Sequence, residues 1–239
     1  LELVKPRLRE EADEGSREAA RTTLITAFDG ILRLLHPLVP FVTEELWQKL
    51  PWPEGAERPD SLISAPWPQR DSALEDPEAE SRMEVVQEFV NQVRSLRKEY
   101  SVPEGARVDV AVSGVSEGFR VAMEAEDTAI RRLARVQGLT LTGGRDEEPG
   151  IGAHAVLRDG AELFLPLEGV VDLDKERERL SGEIQRLEGQ LQGVRGKLKN
   201  RNFVEKAPEE VVDRERAKEA TFQEQMEKLR EKLKVFRGS

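Results

Sequence analysis

The most regular hydrophobic pattern in the chain lies near its C-terminal end. Leu173, Arg177, Leu180, Ile184, Leu187, Leu191, Val194 and Leu198 advance in alternating steps of four and three, and Phe222, Met226, Leu229, Leu233 and Phe236 do the same. That spacing keeps one stripe of each helix turned toward a partner, which is the seam of a coiled coil. Facing residues of an antiparallel hairpin have position numbers with a constant sum. Leu173 with Phe236, Leu180 with Leu229 and Leu187 with Phe222 each give 409, and Ile184 with Met226 gives 410. Half of that sum puts the tip at positions 204 and 205. The pattern breaks over 200–208, and Pro208 followed by Glu209 and Glu210 is a good start for the returning helix. At about 1.5 Å per residue, an arm of nearly thirty residues reaches about 40 Å. Near the tip Glu215 and Glu219 would face Val194 and Leu191, so that stretch is either rotated out or locally solvated.

Upstream, Ala20, Leu24, Ala27, Phe28, Ile31 and Leu35 keep helical spacing over 17–35, with Ser16 as N-cap and Pro37 as terminator. Pro40 opens a second helix reaching Leu50, with Phe41, Leu46, Trp47 and Leu50 on its apolar side. Residues 51–71 read as a loop carrying Pro-Trp-Pro runs at Trp52 and Trp67. A third helix spans 77–100, with Met83, Val86, Phe89, Val90, Val93 and Leu96 inward. Strands are predicted at 107–113 and 138–142, with helical character over 117–135 between them. A turn-rich loop covers 143–152. A hairpin of 153–158 and 161–166 is closed by Asp159 and Gly160. Leu1, Val4 and Leu8 look like the end of an amphipathic helix, and the chain reads as a fragment of something larger. The predicted fold is mainly α: a helical bundle over 1–101, a small α/β connector over 102–167, and a long antiparallel two-helix coiled-coil hairpin over 168–239.

Composition fits that layout. Of 239 residues 38% are hydrophobic and 35% charged, and the mean hydropathy is −0.57, a balance that suits helices exposed on one face. The absence of cysteine excludes disulfides and thiolate metal sites, and with only His36 and His154 a histidine metal cluster is nearly excluded. No apolar run matches a membrane span and no signal peptide is visible, so the default compartment is the cytoplasm. The net charge of −10 is unevenly spread. Residues 169–239 hold 17 basic and 15 acidic side chains, which leaves 20 basic and 32 acidic in 1–168. Within 195–206 Arg195, Lys197, Lys199, Arg201 and Lys206 stand against Glu205 alone. Screening confines each charge to roughly 10 Å, so a basic spot sits on an otherwise acidic molecule.

No catalytic constellation follows from these residues. The two histidines are far apart and no Gly-rich phosphate loop appears. Glu44 and Glu45 form an exposed acidic pair that the helix dipole favours, and His36 is a helix-terminal residue. Two surfaces carry amides and cations suited to RNA. On the helix 77–100, Gln87, Asn91, Arg94 and Lys98 share a stripe, with Arg97 and Tyr100 near its C-terminal end. A solvated helix face would look the same. At the hairpin tip the five cations surround Asn202 and Phe203, where an exposed ring stacks on a base or plugs the end of the coiled coil.

The run from His36 through Pro37, Leu38, Val39, Pro40, Phe41, Val42, Thr43, Glu44, Glu45 and Leu46 to Trp47 resembles the anticodon-binding helical domain shared by valyl-, isoleucyl- and leucyl-tRNA synthetases. Residues 1–7, 61–68 and 94–103 continue the match. The run from Asn202 and Phe203 to Val212 is similar to the tip of the coiled-coil arm of bacterial valyl-tRNA synthetases. Bacterial isoleucyl enzymes typically end instead in a cysteine-rich zinc module. The resemblance implies a tRNA-binding region that meets the anticodon arm and the outer corner of a valine tRNA. It would act as a monomer with catalytic and editing domains of the same chain, where ATP and Mg belong. The signature motifs of adenylate formation are absent, so no cofactor and no catalytic residue is expected in this sequence. The rival readings are a structural coiled coil for protein–protein contact and a tRNA or ribosome contact arm of a non-synthetase translation protein.

Overall fold

The computed structural model describes residues 2, 4–9, 12–52, 58–144 and 150–237. The loops expected at 51–71 and 143–152 therefore lie partly outside the described residues, at 53–57 and 145–149. The chain forms two compact units, 1–77 and 78–239, which are described separately.

The first unit is built on α1 (Glu14–Leu35) and α2 (Pro40–Gln48). Of the amphipathic helix end expected from Leu1, Val4 and Leu8, Leu1 lies outside the described residues, and Lys5–Leu8 forms a 3-10 turn. Helix α1 starts earlier than its expected cap at Ser16, because the Asp13 carboxylate accepts the Ser16 N–H at 2.8 Å. The Ser16 hydroxyl instead accepts from Arg7 Nε. Trp47 is fully buried with Leu32 and Leu62, and its indole N–H donates to Asp29 at 2.7 Å. Arg33 joins that carboxylate and also donates to the Pro66 carbonyl. The acidic pair resolves into two different residues. Glu44 accepts from the Ser61 hydroxyl and the Leu62 N–H, both at 2.9 Å, and so staples the following loop to α2. Glu45 pairs with Lys49. His36 Nδ1 lies 2.8 Å from the hydroxyl of buried Thr43, which ties the end of α1 to α2.

The second unit joins α3 (Pro77–Glu99), a four-stranded sheet and the arm around one core. Strands β1 (Val108–Ser113), β2 (Val136–Leu141), β3 (Gly152–Val156) and β4 (Glu162–Pro166) lie in the order β2-β1-β4-β3. β1 and β2 are parallel, joined through α4 (Glu117–Ala125) and α5 (Asp127–Leu133), while β4 runs antiparallel to β1 and β3. A parallel pair needs such a crossover. The β3–β4 hairpin turns where expected: Gly160 adopts φ 87°, and Asp159 accepts the Ala161 N–H. The helix α3, grouped by sequence with the preceding helices, buries Phe89, Val90 and Val93 in the same core as Val110, Val112 and Leu163.

The arm is α6 (Leu173–Lys199) and α8 (Glu209–Arg237), with a short helix, α7 (Arg201–Lys206), across the tip. The tip is therefore helical where an irregular break was expected. Asn200 caps α7 by accepting the Asn202 N–H, and Pro208 leads into α8. Leu187, Leu191 and Met226 form the distal seam, with Phe222 and Leu229 half-buried against them, as the antiparallel register requires. At the root, Leu180, Ile184, Leu233 and Phe236 enter the core of the sheet and α3. Phe236 and Tyr100 have ring centroids 5.7 Å apart, and the Lys232 ammonium sits 5.3 Å from the Tyr100 ring centre. Burial lowers the Lys232 pKa and raises that of Tyr100. The arm grows out of a packed body.

Candidate nucleic-acid interface

At the tip, the end of α6 brings Lys197 and Lys199 into the last helical turn, where cations also satisfy the negative end of the helix dipole. Two of the five cations are engaged across the arm. Arg195 Nε donates to Glu219 at 2.7 Å, and Lys197 lies 3.4 Å from Glu215. Glu215 is buried at 6% exposure and also accepts from Lys218 at 2.7 Å. The Lys218 hydrogen bond, helped by Lys197, holds its carboxyl below the usual value against the cost of burial. The two glutamates that sequence put against the apolar seam thus stay near it by pairing with lysine and arginine.

Lys199, Arg201 and Lys206 are exposed, and among the described residues their side chains have no ion pair or hydrogen-bond partner. Asn202 is exposed beside them, and Phe203 is half-buried, so its ring is only partly available. Three unpaired cations and an amide, spread over the end of α6 and the short α7, make a surface for phosphate oxygens.

On α3, Gln87, Asn91, Arg94 and Lys98 are exposed as their stripe requires. Arg97 is a correction. It is only 8% exposed, and its Nη2 donates to the carbonyls of Pro103 at 3.0 Å and Ala106 at 2.8 Å. One helical step of about 100° carries it from the exposed stripe to the inner face, where backbone carbonyls hold it. Arg94 is exposed but anchored, its Nε donating to the Leu133 carbonyl at 3.0 Å. The sequence reading missed Arg135, which joins this cluster from the start of β2 with a left-handed backbone at φ 55°. No helical spacing connects it to α3, so only the folded sheet reveals it. The tip and the α3 stripe both belong to the second unit.

On the first unit, Leu38, Phe41, Val42 and Ile63 are well exposed, with Phe41 at 89%. No helix among the described residues is long and apolar enough to cross a membrane.

Comparison with known proteins gives these surfaces a context. The anticodon-binding domain of tRNA ligase matches residues 1–112, and the valyl tRNA synthetase tRNA binding arm matches residues 172–237. Similar sequences include valine–tRNA ligases. That of Rhizorhabdus wittichii is 40% identical over 229 residues, covering 96% of this chain and 24% of the relative. That of Symbiobacterium thermophilum is 35% identical over 252 residues, covering 100% and 27%. That of Enterococcus faecalis is 34% identical over 226 residues, covering 95% and 25%. The chain spans about a quarter of the length of these curated relatives.

Proposed function

The chain belongs to the valyl-tRNA synthetase family, as the part carrying the anticodon-binding domain and the tRNA-binding arm, and we propose that its work is to grip tRNA. The observation that carries this reading is the helical tip. Lys199, Arg201 and Lys206 stand exposed and unpaired among the described residues, at the end of an arm about 40 Å long. A folded RNA corner is met largely through shape and phosphate, which such a tip supplies. The favoured tRNA is the valine acceptor, held in the cytoplasm for aminoacylation by catalytic and editing domains that use ATP and Mg. The apolar side chains at Leu38, Phe41, Val42 and Ile63 suit a seat against other parts of a longer ligase.

The coiled-coil dimerisation reading is less well supported. The apolar seam of α6 is already filled by α8 of the same chain. Filter binding of valine tRNA, a non-cognate tRNA and duplex RNA to the 239-residue chain tests the proposal. Valine tRNA should bind most tightly and duplex RNA most weakly. Equal binding of all three would reduce the reading to general RNA affinity, and no binding at low salt would remove it.

A further inference from the structure

We propose that the cleft at the C-terminal end of α3 is a phosphate-binding site, occupied by a backbone phosphodiester when the chain holds tRNA. The phosphate chemistry stands on the cleft itself. Its RNA source rests on the function proposed above.

The cleft has a volume of about 640 Å³ and is lined by Arg94, Arg97, Lys98 and Arg135, with Glu104 as the one carboxylate residue. Among the described residues none of the four cations forms an ion pair with a carboxylate. Arg94, Arg97 and Arg135 donate to backbone carbonyls instead, those of Leu133, Pro103, Ala106 and Glu104. Lys98 makes no side-chain bond at all among those residues.

Capping of helix ends explains some of this charge and leaves the rest over. Helices α3 and α5 both end at the cleft, and each C-terminus offers roughly half a negative charge at most. With Glu104 the negative side comes to about two charges against four cations, a surplus of about two. Arg97 makes that surplus costly. The residue is more than nine-tenths buried, and its Nη1 is enclosed without a hydrogen-bond partner. Burial first, and the charge of Arg135 second, weaken its hold on its proton. The charge of an arriving oxyanion would offset the repulsion from Arg135. Arg97 need not touch the anion, because it adds its field from beneath the floor of the cleft. Direct contact falls to Lys98, Arg135 and the Nη groups of Arg94, which make no bond among the described residues. Guanidinium groups match the paired oxygens of phosphate.

The backbone at the rim is strained in the same place. Ser101 and Arg135 are the two non-glycine residues with positive φ among those described, at 57° and 55°, and both line the cleft. Ser101 turns the chain out of α3 as Val102 N–H returns to the Arg97 carbonyl at 2.9 Å. That turn sets Lys98 and Arg97 at the mouth and floor of one cavity.

The test uses the 239-residue chain with Lys98→Gln, Arg135→Gln and the double variant, each checked by thermal melting. Lys98→Gln removes no bond of the fold, so it remains informative if Arg135→Gln folds poorly. In one arm, inorganic phosphate is compared with chloride at equal ionic strength. It should raise the melting temperature of the parent chain and do so less in the variants. In the other arm, the salt dependence of tRNA binding should fall by roughly 0.7–0.9 in slope when the cleft no longer holds a phosphate. A phosphate response present in the parent and lost in the variants, with an unchanged tRNA slope, would keep the oxyanion site and overturn its RNA occupant. A lowered slope without a response to free phosphate would support the phosphodiester. If both readouts match the parent, the proposal is overturned and the cations only cap carbonyls. Failure of the parent chain to bind tRNA would sink the proposed function, while the phosphate arm would still decide the cleft.

Discussion

Lys197 Nζ lies 3.4 Å from Glu215 Oε2 on the opposite helix of the arm, and Lys218 completes the clamp at 2.7 Å from the other carboxylate oxygen. This clamp replaces apolar packing where the seam runs out toward the tip. The Glu215 pKa is lowered from 4.5 in the folded chain, first by the Lys218 hydrogen bond. A depressed carboxylate stabilises the fold above its unfolded pKa, and that contribution is lost as pH falls through the folded value. The arm should therefore lose thermal stability as pH drops below about 4.5, the ordinary value. In Glu215→Gln that decline should be shallower, with a lower plateau near neutrality. Identical pH profiles for the two proteins would show the clamp to be irrelevant to the arm.

Gly152 opens β3 against the ring of Phe164. A Cβ at this position would lie 2.1 and 2.3 Å from ring carbons and 2.9 Å from the Leu165 carbonyl oxygen. Phe164 is 3% exposed and has little room to yield. Gly152→Ala should destabilise the second unit by at least ~1–3 kcal/mol, the usual range for overpacking. Urea denaturation followed by circular dichroism measures this directly.

Ser101 predicts the opposite sign. It occupies the left-handed position after α3, where glycine is favoured and other residues are strained by roughly 1–2 kcal/mol. Ser101→Gly should stabilise the chain by about 0.5–1 kcal/mol once the added flexibility of glycine in the unfolded chain is subtracted. A loss of stability in the same urea experiment would mean that the Ser101 side chain holds something its backbone does not reveal.

The arm was the most legible part of the sequence. Its heptad steps repeat over two long runs, and a single sum fixes their register, so Leu187 and Phe222 share the distal seam as the arithmetic requires. The Asp159–Gly160 turn was equally plain, because left-handed backbone there calls for glycine. What stayed hidden depends on contacts distant in sequence. Periodicity marked the inner face of α3, but not that the face packs on the sheet, nor that Arg97 turns inward to backbone carbonyls. The tip helix α7 was hidden too, because six residues are too few to show a period. The five tip cations were visible as a cluster. That Arg195 and Lys197 are paired while Lys199, Arg201 and Lys206 are not is a property of the folded arm.

Phe203 separates two uses of the tip. It is half-buried, which leaves both uses open to test. Phe203→Ala should weaken tRNA binding by on the order of 1–3 kcal/mol with little change in salt dependence if the ring stacks. A fall in melting temperature at unchanged tRNA affinity would make the ring a plug.

The central claim is that the unpaired cations of the tip hold tRNA phosphates. The most direct measurement is the salt dependence of tRNA binding by the 239-residue chain with Lys199, Arg201 and Lys206 all changed to Gln. Removing one cation from a phosphate should reduce the slope of log affinity against log salt by roughly 0.7–0.9. Removing all three should therefore flatten it by about 2–3 units, and cognate and non-cognate tRNA should weaken alike. An unchanged slope and affinity at low salt would contradict the account and leave the arm as a spacer or docking element.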